Sequence, residues 1–214
     1  MRTALWKGIG GAALAASAVA YSPPVRRWYL GYGATAEEVA QELPGDDLLP
    51  CPDLLSTRAI TIDAAPATVW PWLVQLGSGR GGAYSYDWIE NLLGLDMHSA
   101  DEILPQFQRL AVGDVLPLGP AGPGMRVEIC DPERTLAFRS TDGAWVWIFD
   151  LRSYWLGTRL ISRNRIATPG AGWPRRLVNR IVMEPGSLVM ERRMLRGIKE
   201  RAEFSAPSAA LLPV

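Results

Sequence analysis

Thr57 to Gly94 reads TRAITIDAAPATVWPWLVQLGSGRGGAYSYDWIENLLG, and its punctuation decides the fold. Thr57–Ile62 is a short β-branched run in which Arg58, Ile60 and Ile62 share one face and Thr57, Ala59 and Thr61 the other. Pro66 suits a first helical turn, where its missing N–H has no intrahelical partner to lose. Val69, Trp70, Leu73 and Leu76 then keep helical spacing up to Gly77. Pro71 lies inside that pattern and predicts a kinked or shortened helix. The glycine-rich GSGRGG (Gly77 to Gly82) leads to a second short helical pattern, Tyr86 to Leu93, stopped by Gly94.

Beyond Gly94 the chain turns β in character. His98, the sole histidine, and Pro105 occupy an irregular stretch up to Leu110. Turn signals at Gly113-Asp114, Gly119 to Gly124 (GPAGPG), Asp131-Pro132, Asp142-Gly143 and Gly157 then become regular. Between them lie strand-like runs: Val112–Leu118, Met125–Cys130, Thr135–Arg139, Ala144–Leu151 and Thr158–Ile166. Short connections predict an antiparallel meander. Trp145, Trp147 and Phe149 form an aromatic row opposite Val146 and Ile148. In the last run Arg159, Arg163 and Arg165 share one face, and Ser162 and Asn164 the other. If the arginines face solvent, Ser162 and Asn164 face the interior and require partners there.

The chain closes on helical patterns. Trp173–Met183 is one segment, Pro185-Gly186 an interruption, and Ser187 the expected cap of the helix LVMERRMLRGIKERAEF. Met190, Met194, Ile198 and Ala202 make its apolar stripe, while Glu191 and its charged neighbours are assigned to the solvated side. Residues 205–214 are expected to fray.

At 214 residues, with 48% hydrophobic, the chain suits one domain with an appendage. Lys+Arg and Asp+Glu stand at 22 each, which gives no basic excess for nucleic acid. Cys51 and Cys130 fit no metal or redox spacing and read as free thiols, although their pairing is not settled by sequence. No cofactor is expected, and nothing fixes an oligomeric state.

Residues 1–30 carry a small, apolar run, Gly8 to Tyr21, between Arg2, Lys7 and Arg26, Arg27. It reads as an uncleaved membrane anchor with Trp28, Tyr29 and Tyr32 at the interface. The alternatives are a secretory signal cleaved near Ala18 or Ala20, giving a secreted protein, and a plain amphipathic extension. The side of the membrane is left open by basic residues on both flanks. Residues 31–55 read as a solvated tether, with a capping box at Thr35 and Glu38.

The order strand, two short helices, meander and long C-terminal helix resembles a helix-grip domain. Thr57-Arg58-Ala59-Ile60, Ala65-Pro66 followed by Val69-Trp70, Gly79 to Trp88, and Met190 to Lys199 together resemble bacterial members of the SRPBCC superfamily, which includes START-like, Bet v 1-like and polyketide cyclase-like domains. The resemblance covers about residues 34–203, within a domain drawn at 56–204. It implies an α+β fold in which a curved antiparallel sheet wraps a long C-terminal helix around a hydrophobic cavity. Six candidate strands are present where that family usually has seven. The resemblance implies binding, transfer or sequestration of a hydrophobic small molecule or lipid; it carries over no catalytic residue.

Candidate cavity residues are Arg80, Tyr84, Tyr86, Trp88, Phe138, Trp145, Trp147, Phe149, Ser162, Asn164, Met190 and Met194. Aromatic rings with flexible methionines suit a tolerant apolar pocket, and a filled core is the plainer alternative. Arg80 is expected near the cavity mouth, with the Tyr84 and Tyr86 hydroxyls at its rim. GSGRGG comes after a helix instead of a strand, so it is not a dinucleotide fingerprint. A lone His98 beside Asp96 and Asp101 reads as structural, not as a metal centre. Two other functions stay open. One is a cyclase- or hydrolase-like enzyme, which needs at least two of Arg80, Tyr84, Tyr86 and His98 in one cavity. The other is a membrane-surface module acting through Arg159, Arg163 and Arg165.

Overall fold

The computed structural model describes residues 21–119, 124–155 and 157–206. The anchor or signal reading of the apolar run, the centre of GPAGPG and most of the expected tail lie outside them.

Six strands form one antiparallel sheet: β1 (Leu54–Ile62), β2 (Val115–Pro117), β3 (Gly124–Asp131), β4 (Thr135–Ser140), β5 (Trp145–Tyr154) and β6 (Gly157–Ile166), in the order β1-β6-β5-β4-β3-β2. The meander is as the turn signals predict, and β1 closes the far edge by pairing along its whole length with β6. The pairing of β3 with β4 shifts register between Val127 and Ile129, a bulge that bends the sheet.

The helices are α1 (Pro23–Leu30), α2 (Ala36–Ala40), α3 (Pro66–Val74), α4 (Asp87–Leu92), α5 (Trp173–Val178) and α6 (Glu184–Ser205). The expected box caps α2: Glu38 N–H donates to Thr35 Oγ1 and Thr35 N–H to Glu38 Oε2. Helix α3 holds Pro71 and runs only nine residues. The main core fills the concave side of the sheet, where Val69, Trp72 and Leu73 of α3 and Met194, Leu195, Ile198 and Ala202 of α6 meet Leu136, Phe149 and Leu160. This is the α+β helix-grip arrangement.

The expected helix start at Ser187 is not observed. A π-helical turn, Asn179–Met183, joins α5 to α6, and α6 begins at Glu184. Pro185 therefore sits in a first turn, where proline is tolerated. Ser187 lies inside the helix and donates back to the Glu184 carbonyl at 2.7 Å.

The solvated arginine face and the solvated tether are both corrected. Arg159, Arg163 and Arg165 do point away from the cavity, but the chain before β1 covers them. Arg163 is 1% exposed. It donates to Thr57 Oγ1, to the carbonyls of Glu38, Val39 and Gln41, and to Asp46 Oδ2 at 2.5 Å. Arg165 donates to the Leu49 and Pro50 carbonyls, and Arg159 holds the Glu38 carboxylate through two nitrogens. The physical reason is mutual need. An irregular segment laid on a sheet has carbonyls without partners, and guanidinium groups supply several donors each. Leu43 adds an apolar plug against Ala59, Ala137, Val146, Ile148 and Ile161.

Arg163→Ala is expected to cost about 3–5 kcal/mol, the usual penalty for removing one partner of a buried ion pair. Urea unfolding measures the loss, and limited proteolysis should then cut first within residues 31–52. Unchanged stability would mean that the segment is held by its apolar plug alone.

Candidate ligand cavity

A predominantly apolar cavity of about 380 Å³ lies between the concave face of the sheet and the N-terminal half of α6. Strand alternation builds one wall. Trp145, Trp147 and Phe149 leave the same face of β5, with the Trp145 and Trp147 rings stacked 5.5 Å apart at 20° and Phe149 tilted against Trp147 at 4.8 Å. Met190 and Met194, one helical turn apart on α6, line the cavity as well.

Pairing of β5 with β6 sets Trp147 beside Asn164 and Phe149 beside Ser162. The polar tips of the indoles are thus satisfied: Trp145 Nε1–H donates to Asn164 Oδ1 at 2.8 Å, and Trp147 Nε1–H to Ser162 Oγ at 3.0 Å. Both relays end on Glu191 of α6. Ser162 Oγ donates to Glu191 Oε1 at 2.6 Å and Asn164 Nδ2 to Oε2 at 3.2 Å. Arg58 Nη1 completes the set as the ion-pair partner of Oε2. The rest of the Arg58 guanidinium is also engaged, with Nε on the Tyr29 carbonyl and Nη2 on Ser187 Oγ. Burial pushes the Glu191 carboxyl up, and Arg58 and Ser162 oppose that push.

A second acid enters from α4. Glu90 lines the cavity and is 7% exposed. Its Oε1 accepts from Ser85 Oγ at 2.9 Å, while Oε2 has no hydrogen-bond partner. Burial raises this carboxyl, Ser85 lowers it, and Asp87 raises it further.

Of the residues expected at the cavity, Trp145, Trp147, Asn164, Met190 and Met194 line it, and Ser162 supports it through Trp147 and Glu191. Phe138 instead borders a neighbouring void of about 40 Å³, shared with Trp147. Phe149 is fully buried in the core.

The loop residues are corrected. Arg80 is folded back onto the Val74 and Phe107 carbonyls with its guanidinium 4.4 Å from the centre of the Phe107 ring, and burial lowers its pKa. Tyr84 is a core residue. Its hydroxyl donates to the Trp72 carbonyl at 3.1 Å, and burial pushes the phenol well up. Its backbone takes φ 54° where α6 passes at Gly197, and a Cβ on Gly197 would run into the Tyr84 carbonyl. Tyr86 stands at the N-cap position of α4 with no side-chain capping bond, Trp88 is largely exposed, and neither lines the cavity.

His98 is exposed beside Asp96, and no metal-type cluster of His, Cys, Asp and Glu exists among the described residues. Cys51 and Cys130 are free thiols. A further depression of about 460 Å³, between α1, β1 and α6, is lined by Arg159, Arg192 and Arg196 and is more polar.

The sequence reading missed Arg58, Glu90 and Glu191 as site residues. For two of them the signal was present. Arg58 is in phase with Ile60 and Ile62, and Glu191 stands three and seven residues before Met194 and Ile198 on the buried stripe. Opposite charges in phase with two apolar faces are the mark of a buried pair.

No family model and no curated protein sequence matches the chain. Solved structures similar to it include a protein from Mesorhizobium loti, 16% identical, with a TM-score of 0.44 over 72% of this chain and 100% of that one. Another is from Chromobacterium violaceum, 13% identical, with a TM-score of 0.43 over 70% and 98%. A polyketide cyclase-like protein from Corynebacterium glutamicum is 20% identical, with a TM-score of 0.34 over 69% and 86%. These are likenesses of fold.

Glu90→Gln gives a signed pH test. The native carboxyl holds its proton more tightly than the unfolded chain does, so native stability is full at acid pH. It declines as pH rises from the ordinary carboxylate range through the raised native value. The variant lacks this loss. Its melting temperature, relative to the parent, should therefore climb as pH rises above the ordinary carboxylate range. A difference independent of pH would mean that Glu90 is not shifted by its surroundings.

Proposed function

We propose that this protein binds a hydrophobic small molecule or lipid between the sheet and α6, for transfer or sequestration, at a membrane surface. The observation that carries the reading is the 380 Å³ cavity, apolar along its tryptophan and methionine walls, whose indole N–H groups are linked to Glu191 through Asn164 and Ser162. A guest covering about 200 Å² of apolar surface gains about 5 kcal/mol at 25 cal/mol per Å², and these satisfied groups demand little of it.

The membrane part rests on residues 173–183. Trp173 is 76% exposed, and Leu177, Val178, Ile181 and Val182 are also exposed. On a helical projection they fall on one side, with Arg175, Arg176, Asn179 and Arg180 on the other, the pattern of a helix lying in a lipid interface. Met183, at the end of this segment, lines the cavity. Tyr21 donates its hydroxyl to the Ile181 carbonyl at 2.9 Å, which brings the end of the Gly8–Tyr21 apolar run to the same place. No helix among the described residues is long and apolar enough to cross a membrane.

The alternatives lose the residues they rested on. Arg80, Tyr84, Tyr86 and His98 do not converge on the cavity, and Arg163 and Arg165 are buried under the preceding chain.

Binding of the neutral dye N-phenyl-1-naphthylamine, read by its fluorescence, tests the cavity. Trp147→Ala should weaken it about tenfold, since aromatic contact contributes about 0.5–1.5 kcal/mol beyond its area. A dye that fails to bind the parent protein overturns the reading. Flotation with anionic vesicles, and its loss in Leu177→Asp/Val182→Asp, tests the surface. Flotation indifferent to that change would place membrane attachment elsewhere.

A further inference from the structure

The cavity's two acids are not in the same state of balance. Glu191 accepts from three donors and faces Arg58, whose charge offsets its own. Glu90 has neither advantage. Its one donor is the neutral Ser85 hydroxyl, and the charged group felt nearest it, Asp87, is another acid. Glu90 lines the cavity, and its Oε2 is buried and without a hydrogen-bond partner. Leaving a carboxylate oxygen unpaired away from water is costly, and it is rare among buried polar groups. No basic residue pairs with it among the described residues.

We propose that the ligand is an amphiphile bearing a protonated amine, with the ammonium meeting the Glu90 carboxylate at the cavity wall and the apolar body lying against Trp145 and Trp147. This rests on the hydrophobic-ligand reading and narrows it. An ammonium supplies both of the missing things, an N–H donor and a positive charge, and a charge-assisted hydrogen bond is about twice as strong as a neutral one. The stacked indoles add faces that attract cations. A hydroxyl would supply the donor without the charge. A fatty carboxylate would bring a further negative charge to a wall that already holds Glu90, with Asp87 close behind.

The test uses the full-length protein and three probes of equal chain length: decan-1-amine, decan-1-ol and decanoic acid. Each competes with N-phenyl-1-naphthylamine at neutral pH, below its own aggregation concentration. The amine should bind about tenfold more tightly than the alcohol, and the acid most weakly, a spread corresponding to about 1.4 kcal/mol per tenfold step. Glu90→Gln, checked for folding by its melting curve, should erase the amine's advantage while leaving the alcohol within about twofold. Equal or tighter binding of alcohol or acid overturns the amine proposal and leaves the cavity standing, as does an amine preference that survives in Glu90→Gln. A dye that never binds overturns the cavity reading and this proposal with it.

Discussion

The buried ion pair between Arg58 and Glu191 ties together the parts that make a helix-grip domain work. Arg58 belongs to the edge strand β1 and is fully enclosed; Glu191 belongs to α6. One guanidinium thus joins sheet to helix, and through its bond to the Tyr29 carbonyl it also holds α1. Such pairs contribute less to net stability than their geometry suggests, because two charges must leave water. What this one supplies is register. It fixes which turn of α6 lies over the Trp145–Trp147 wall, and a helix packed on apolar contacts alone could slide.

The same chemistry recurs on the other face of the sheet, for a different purpose. There Arg163 and Arg165 serve backbone carbonyls and Asp46, and they bind an irregular segment that would otherwise stay in water. Both faces of the sheet are therefore covered, one by helices around a cavity and one by a strap with a small apolar plug. The arginines of β6 and β1 act as internal structural donors, and this explains how a chain with balanced charge can bury several of them.

The fold was legible because its signals are local. Alternation in β5, turn residues at regular spacing and the Met190-to-Ala202 stripe each name an element without reference to any other. Ser162 and Asn164 were legible as interior polar groups for the same reason. The site's acids were not. Glu191 reads as one more charge on a charged helix until Arg58 is placed opposite it, and nothing local marks Glu90 as buried. Tyr84 and Arg80 erred the other way. A glycine-rich loop reads as exposed and adaptable, yet this one folds inward, where Gly197 lets α6 approach and the Trp72 carbonyl receives the Tyr84 hydroxyl. Long-range closeness decided each case, and a single sequence does not encode it in any short pattern.

The contact at Gly197 also gives α6 a mechanical character. Its C-terminal half is clamped, with Met194, Leu195, Gly197, Ile198 and Ala202 all buried, whereas the helical segment upstream of Glu184 contains no buried residue. Support is thus uneven along this helical run: it is packed from Glu184 onward, and upstream of that point it is tied by the Tyr21 hydroxyl on the Ile181 carbonyl. Met183, which lines the cavity, stands at the end of the π turn, so the cavity wall there is the least braced by buried neighbours.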